Sequence, residues 1–490
     1  MTSTKPLKIF IDTTSIPLTL DQTKYVFKLL LKTAGFPYYF IRTIKNADII
    51  YSDNQKSNSK LFIRADKKLK IALSRDYKKR IVEEENIPFI IIDGLSSQSK
   101  NLLQKKRKTI SIKNDIIFTI YYIIMGFQEN YIPRDRHGIH NVRHSFLFKK
   151  GYLYKPLVNI YVNFIRFLFA KTHKPIDIWP NKKKFALVLT HDCDYIEMKR
   201  YIELIRYIFM HKLCVNPIKL IEIMFSQRQT FWNFDDWMKI EQKYGLKSTF
   251  FFCAIKGSLL KYYFTSPDPF YNIKKTKYRK LFNKLKNKNF EIGLHSSYQA
   301  YSSKKRFREE RLKLMRFSKS EVLGNRHHYW HTSDNFIETV KIHQKVGFLY
   351  DTSLAFDHHS GFRRSICTPL KFFDIKTTKE LDILEMPTAL MDGQLFNLLK
   401  YNYLQKKESV IDALIDSVKK YNGMLIVDYH TRVLNKDFFP GWKKSYIYLL
   451  DKATRGKDYY SDTILNIAKY WLNREKIIEG LSKDEACGAN

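Results

Sequence analysis

Two aspartates one residue apart, Asp192 and Asp194, close a short apolar run in this chain of 490 residues. In extended backbone, residues i and i+2 project to the same side, so both carboxylates face one cavity. Two carboxylates that near repel, and the pair is stable mainly when a cation binds one of them. One can then ligate a divalent metal while the other stays free to take a proton from water. A helix cap or a solvated turn is the plain structural alternative, since Asp often follows strands. His295 ends the run Glu291-Ile292-Gly293-Leu294 and adds an imidazole. A lone His is more often a core or surface residue than a ligand, yet imidazole with carboxylate is a common zinc set that leaves a position for water.

Such residues need elements to position them. From about Lys182 onward, apolar runs of strand length recur, and most end in a reactive residue. Residues 185–190 lead into His191, Asp192, Cys193 and Asp194; 248–255 precede Lys256 and Gly257; 290–294 end at His295. Residues 322–324 precede Asn325, Arg326, His327 and His328, and 348–350 end at Asp351. Residues 383–386 end at Pro387, and 424–427 lead into Asp428, Tyr429 and His430. Helical periodicity separates them at 237–244, 277–286, 305–316, 337–346 and 409–421. Alternating strand and helix implies a parallel sheet with crossover helices, and reactive residues at successive strand ends are how a β/α barrel assembles a site. The expected fold class is therefore α/β, a deformed β/α barrel of about seven strands over residues 182–475.

A smaller α/β and helical portion precedes it. Residues 7–11, 47–51, 60–64 and 89–92 read as strands, and a helix capped by Asp21 runs to about Lys32 and stops near Gly35. These form an accessory domain over 1–112, followed by a helical connecting region over 113–181 with a polar loop at 133–144. Residues 476–490 read as a polar C-terminal tail.

Leu189-Thr190-His191-Asp192-Cys193-Asp194 resembles the first motif of the NodB-type polysaccharide deacetylases (carbohydrate esterase family 4-like), in the variant with Asp-x-Asp. The string from Glu291 to Tyr298 is similar to their second motif, and Gly324-Asn325-Arg326-His327-His328-Tyr329 to the third. Tyr350-Asp351-Thr352-Ser353-Leu354 followed by Gly361-Phe362-Arg363 resembles the fourth, and Leu425-Ile426-Val427-Asp428-Tyr429-His430 the last. Singly each is weak; five in order over residues 182–435 are specific. The N-terminal portion is similar, with far less specificity, to an accessory region that precedes this barrel in a subgroup of bacterial relatives.

The resemblance implies a metal-dependent hydrolase that removes an N-acyl group, acetyl above all, from an amino-sugar of a glycan or glycan precursor. It implies Asp192 as general base, Asp194 and His295 as ligands of a divalent metal (zinc expected), Arg326 as the holder of the base and His430 as general acid. Tyr298, Tyr329, Asp351 and Arg363, from the same motifs, are the expected substrate contacts. One departure matters: the second motif's usual second histidine is replaced by Gln299. His328, at a neighbouring strand end, is the candidate for the missing ligand. Weak ligation by Gln299 and loss of the metal stay open, and with them a rival function, an inactive barrel that binds glycan or serves as a scaffold.

Other residues nearby have plainer readings. Cys193 is expected in the barrel wall and His191 facing away from the carboxylates. His327, His331, His358 and His359 read as chance clustering. Trp330, Phe356, Phe362 and Phe396 are rim aromatics able to stack on sugars, and Met391-Asp392-Gly393 is either a tight turn or a pocket wall.

The formal net charge of +38 attracts polyanions, but the lysines are scattered along the whole length. Short runs such as Lys105-Lys106-Arg107-Lys108 come with no zinc-finger or RNA-binding signature, so no specific nucleic-acid partner is expected. Five cysteines (Cys193, Cys214, Cys253, Cys367, Cys487) without a CxxC pair fit a reducing compartment. The N-terminus lacks a signal-peptide core, residues 116–127 are too short to span a bilayer, and 157–170 carry Asn163 and Arg166. A cytoplasmic protein without a transmembrane segment is expected, with peripheral docking on anionic surfaces left open.

Overall fold

A computed structural model of the chain describes residues 4–54, 59–96, 101–106, 108–135, 138–197, 201, 204–205, 207–208, 216–225, 231–258, 267–396 and 406–486. Arg107, Cys214 and Cys487, parts of the 133–144 loop and the end of the expected tail lie outside the described residues. The chain builds two sheets and two small hairpins.

The first sheet uses β1 (Leu7–Ile11), β2 (Tyr38–Ile41), β3 (Ile49–Ser52), β4 (Leu61–Arg64), β7 (Leu103–Lys106) and β8 (Thr109–Ile112). Their order is β2-β1-β3-β4-β8-β7, parallel except for the β7–β8 hairpin. β5 (Lys79–Glu84) and β6 (Ile87–Ile92) form a separate antiparallel pair. The helix Leu20–Ala34 follows β1; its cap is Thr19 with Gln22 in a reciprocal capping box, not Asp21, which lies inside the first turn. Gly35 ends it at φ 85°, and a Cβ there would sit 2.2 Å from the Ile176 carbonyl oxygen.

Helix Ile116–Ile124 is apolar all round because every one of its side chains is buried between neighbouring elements. No helix among the described residues is long and apolar enough to cross a membrane. Just beyond that helix, Glu129 receives Arg363 through paired bonds of 2.9 and 3.0 Å and Arg364 at 3.1 Å, fastening this region to the second sheet's loops.

The second sheet contains β9 (Phe185–Asp192), β10 (Ser248–Phe252), β11 (Glu291–Ser296), β12 (Gly324–His327), β13 (Tyr350–Asp351), β16 (Leu384–Glu385), β17 (Thr388–Met391) and β18 (Met424–Asp428). All pair in parallel, in the order β16-β13-β12-β11-β10-β9-β18-β17. β19 (Tyr459–Ser461) runs beside the first half of β9. β14 (Phe373–Asp374) and β15 (Lys379–Glu380) form an outlying hairpin.

This sheet curls into a deformed barrel. Arg326 on β12 hydrogen-bonds Thr190 on β9 at 2.8 Å and Thr388 on β17 at 3.2 Å. In a flat sheet β12 and β17, five steps apart, would lie about 24 Å from each other. The two ends of the path, β16 and β17, are one extended run interrupted at Pro387, which has no N–H to offer a ladder. Counted as one bent strand, that run gives the seven strands expected, with two pairing partners at its two halves.

Strand alternation divides the packing cleanly. Ala186, Val188, Phe251, Tyr350, Leu384, Met386, Met424 and Ile426 fill the interior, and Trp179, Ile464, Ile467, Ala468 and Trp471 join the same cluster. Phe185, Leu187, Leu189, Leu425 and Val427 face the surrounding helices. Gly324 is required here, since a Cβ would meet the Tyr350 ring at 1.8 Å. Residues 476–486, expected as a polar tail, instead continue the helix Ile464–Ala486. Ile478 is buried, Lys32 pairs with Glu479 at 2.6 Å, and the Ser482 hydroxyl accepts from the Tyr38 N–H.

Candidate active site at the strand ends

Every residue of the candidate site leaves the barrel at the C-terminal end of a strand or just beyond it, which is where parallel strands deliver side chains to one mouth. β9 supplies Asp192 and, two residues on, Asp194; β11 supplies His295; β12 supplies Arg326 and His328; β18 supplies Asp428 and His430. β17 adds Asp392, the first residue of the short helix Asp392–Phe396. Asp192, Asp194, His295, Arg326 and His328 are all buried.

His295 donates its Nδ1–H to the Arg326 carbonyl oxygen at 3.0 Å, because a carbonyl can only accept. That bond fixes the tautomer and leaves the Nε2 lone pair facing Asp194 Oδ1 at 3.3 Å. His328 Nε2 faces Asp194 Oδ2 at 3.4 Å, and its Nδ1 lies 3.4 Å from Asp268 Oδ1. Asp194 Oδ1, His295 Nε2 and His328 Nε2 are buried without a hydrogen-bond partner. Burying three such atoms unpaired is costly, and a shared cation removes the cost. One ligand atom from each of the three residues lies within 4.8 Å of the other two. Asp194, His295 and His328 therefore could hold a metal ion, as a set of one carboxylate and two imidazoles.

Electrostatics couple the same groups to one another. Burial opposes the Asp194 charge, but His328, His295 and His430 outweigh it and hold the carboxyl well below the usual range. Burial likewise opposes charge on His328, and Asp194 with Asp268 lifts its pKa to about 9. Gln299 is exposed, at the start of the short turn Ala300–Ser302, so the geometry does not bring it to this set.

A second cluster, Asp192, Asp428 and His430, also has its donor atoms close together. Here the cation is already part of the chain. Arg326 Nη1 lies 3.0 Å from Asp192 Oδ1 and 3.1 Å from Asp428 Oδ1. The guanidinium is fully buried, lies over the Phe251 ring at 4.6 Å, and bonds Thr190 and Thr388. Asp428 also accepts from the Asp192 backbone N–H at 3.0 Å. Burial and the neighbouring Asp192 push the Asp428 pKa up to about 7, against the pull of Arg326.

His430 sits across the mouth. Its Nδ1–H donates to Asp392 Oδ1 at 2.9 Å, and its backbone N–H donates to Asp392 Oδ2 at 2.7 Å. Nε2 then faces Asp194 Oδ2 at 3.4 Å. Burial disfavours a charged imidazole, yet Asp392 more than offsets it and raises the His430 pKa well above the ordinary value. Arg432 Nη1 lies 3.5 Å from Asp194 Oδ2. The arrangement holds a carboxylate with a fixed guanidinium on one side, an imidazole paired to Asp392 on the other, and an unpaired ligand set between.

The expected substrate contacts divide. Tyr298 and Tyr329 come together, rings 6.1 Å apart, with Tyr329 edge-on to His328 at 4.8 Å. Asp351 does not join them. The alternation that turns Tyr350 inward turns Asp351 out, where it accepts from Asn325 Nδ2 at 2.8 Å and from the Ser353 N–H and hydroxyl. Arg363 is likewise committed elsewhere, to Glu129 and the Ala355 carbonyl. Cys193 and His191 face the wall; His191 donates Nδ1–H to the Tyr429 carbonyl at 2.7 Å and meets Glu241 at 2.7 Å. His327 pairs with His343 behind β12. His331 stacks on Tyr298, while His359 packs against Phe148 and Tyr154.

Sequence reading assigned no chemical role to Asp268, Asp428 or Arg432, and left Asp392 as a turn or pocket wall. Asp428 follows a strand-like run, the same signal that marked Asp192, whereas Pro387 cuts short the run that leads to Asp392. Asp268 carries no periodic signal; Gly257 admits its segment, donating to the Pro269 carbonyl at 2.7 Å where a Cβ would meet the Asp268 carbonyl at 2.0 Å.

Residues 12–174 match a family of unknown function (DUF7033). No curated protein matches the chain. Several solved structures are similar to it. One is a Mycobacterium smegmatis protein assigned as a polysaccharide deacetylase, 13% identical with a TM-score of 0.39, covering 61% of this chain and 93% of that one. The PuuE allantoinase is 15% identical with a TM-score of 0.38, covering 62% and 95%. A family 4 carbohydrate esterase pseudoenzyme from Bacillus anthracis is 15% identical with a TM-score of 0.27, covering 59% and 66%.

Proposed function

We propose that this chain is a metal-dependent hydrolase of N-acyl groups, acetyl above all, on an amino-sugar of a glycan or glycan precursor. The observation that carries the reading is the trio of buried, unpaired donor atoms on Asp194, His295 and His328 beside an Asp192 held by Arg326. The five-motif resemblance supplies the substrate class.

Asp194, His295 and His328 would hold a divalent metal, zinc being the expected one. When bound, such an ion supplies Lewis-acid polarisation of the acyl oxygen and acidifies water. The chain's own residues do the rest. Asp192, oriented by Arg326 and by the Asp428 contact to its backbone, accepts a proton as water adds to the acyl carbon. The C–N bond then breaks, and His430 Nε2–H delivers a proton to the departing nitrogen while Asp392 steadies the imidazolium. The products are a free carboxylate and an amine. Tyr298 and Tyr329 border the site and would contact the sugar.

A second reading, an inactive barrel that binds glycan or acts as a scaffold, is favoured by Gln299 and by Arg432, a cation already near Asp194. Metal analysis of the purified chain, together with acetate release from N-acetylated chito-oligosaccharides, separates the two. One equivalent of metal and turnover abolished by Asp192→Asn support the hydrolase. Acetate release undiminished in Asp192→Asn would sink this mechanism, and a metal-free chain without turnover supports the scaffold.

A further inference from the structure

The barrel wall behind the site holds a buried titratable pair that the proposed chemistry does not use. Alternation along β9 sends Asp192 into the mouth and His191 outward, where its ring is fully buried against the helix Phe234–Lys243. Trp237 and Glu241, four residues apart on that helix, share the face that receives it. The His191 and Trp237 ring centroids are 4.3 Å apart, and His191 Nε2 lies 2.7 Å from Glu241 Oε1. A proton must sit between those two atoms, because two lone pairs at that distance repel. Glu241 also accepts from Ser248 Oγ at 2.7 Å and from Tyr446 Oη at 2.6 Å, so its carboxylate is anchored to three elements.

The outer nitrogens of both rings go to one short turn. His191 Nδ1–H donates to the Tyr429 carbonyl oxygen at 2.7 Å, and Trp237 Nε1–H donates to the Thr431 carbonyl oxygen at 2.9 Å. These are the residues on either side of His430, and both are fully buried, so neither oxygen can turn to water instead. Asn233 Nδ2 also reaches the Thr431 oxygen, at 3.5 Å. From the mouth, Asp392 holds the His430 ring and backbone N–H. The His430 peptide is therefore gripped from the wall and from the mouth at once.

We propose that His191 and Trp237 are positioning residues, which fix the turn 429–431 so that the His430 ring meets Asp392 and aims Nε2 at Asp194. A buried imidazole is costly unless both nitrogens have partners. Here one partner is a carboxylate anchored in the helix and the other is the peptide beside His430, so the helix sets where that ring stands. The consequence for proton delivery rests on the hydrolase reading; the hold on the turn does not.

Hydrogen exchange of the full chain, read by mass spectrometry on a peptide covering residues 428–434, tests the hold without turnover. His191→Gln puts an amide near the Nε2 position, which keeps the Glu241 contact and strands the Tyr429 oxygen; His191→Asn puts one near Nδ1 and does the reverse. The Tyr429 and His430 N–H groups, bonded to the Thr190 oxygen and to Asp392, should exchange at least about tenfold faster in His191→Gln and within about threefold of wild type in His191→Asn. Trp237→Phe keeps the ring and should accelerate them by about threefold, since Asn233 still reaches Thr431. If His191→Gln fails to fold, that smaller change decides, and its absence overturns the proposal. Unaltered exchange in His191→Gln, equal acceleration in both His191 variants, or equal acceleration of a β1 peptide, the mark of global destabilisation, would each overturn it too. With N-acetylated chito-oligosaccharides, kcat should fall at least about tenfold in His191→Gln at unchanged KM and recover in His191→Asn; an unchanged kcat in His191→Gln counts against the proposal. A wild type without turnover sinks the hydrolase reading and leaves the exchange result to decide this one.

Discussion

Replacing Arg326 by Met removes the only positive charge within hydrogen-bond distance of both Asp192 and Asp428 among the described residues, at 3.0 and 3.1 Å, and keeps the volume roughly constant. Two carboxylates then share a fully buried site with no guanidinium between them, and His430, 3.7 Å from Asp428, is the positive neighbour that remains. Breaking a buried ion pair from one side costs about 3–5 kcal/mol, and this guanidinium serves two acids and two threonines, so the upper half of that range is expected at pH 8. The pH dependence has a definite sign. Asp428 in the intact protein already has a folded pKa of about 7, above its unfolded value, and losing Arg326 raises it further. Stability from a group raised in this way is present in acid and lost as pH rises through the folded pKa. The deficit of Arg326→Met relative to wild type should therefore be smallest near pH 5 and widen towards pH 8. Urea unfolding followed by tryptophan fluorescence across that range measures it. Arg326→Met/Asp428→Asn, which removes one of the stranded charges, should recover most of the loss at pH 8. A deficit below about 1 kcal/mol, or one that neither varies with pH nor responds to Asp428→Asn, would refute the account of one guanidinium serving two carboxylates.

Further outcomes follow from the same geometry. His328→Ala should bind zinc at least about tenfold more weakly by competition with a chelating dye, while Gln299→Ala, at an exposed position, should bind as wild type does. Asp392→Asn removes the counter-charge that raises His430, so the alkaline limb of the kcat/KM profile should move to lower pH by about one unit or more. Glu129→Ala leaves Arg363 and Arg364 buried without their shared carboxylate and should cost about 3–5 kcal/mol in the same unfolding assay, with Glu129→Gln retaining part of the loss in hydrogen bonding.

The barrel was legible because its strands are short apolar runs that stop at reactive residues, and those stops coincide with the ends of parallel strands. The site followed for the same reason: Asp192, Asp194, His295, Arg326, His328 and His430 are all strand-end residues, and the structure gathers them within one mouth. Asp351 shows the limit of that rule. Position at a strand end says nothing about which face a side chain takes, and one step of alternation put Tyr350 inside and Asp351 outside. Arg363 shows another: a loop residue that resembles a motif can be claimed by a distant partner, here Glu129, across 234 residues of sequence. β17 was missed because Pro387 breaks its run, and β2 and β7 because four-residue edge strands carry little pattern. The cap of the first helix fell to Thr19 because the reciprocal bond from Gln22 needs a residue three places earlier, a pairing that a lone Asp21 conceals.

Pro387 has a consequence for how the cylinder is held shut. Its first and last strands are separated by only Met386 and Pro387, so chain continuity, not a ladder of amide contacts, joins them. Insertion of a single residue beside Pro387 would turn Thr388 from lumen to exterior and uncouple Asp392 from His430, leaving a cylinder that still closes but has lost the register of its chemistry.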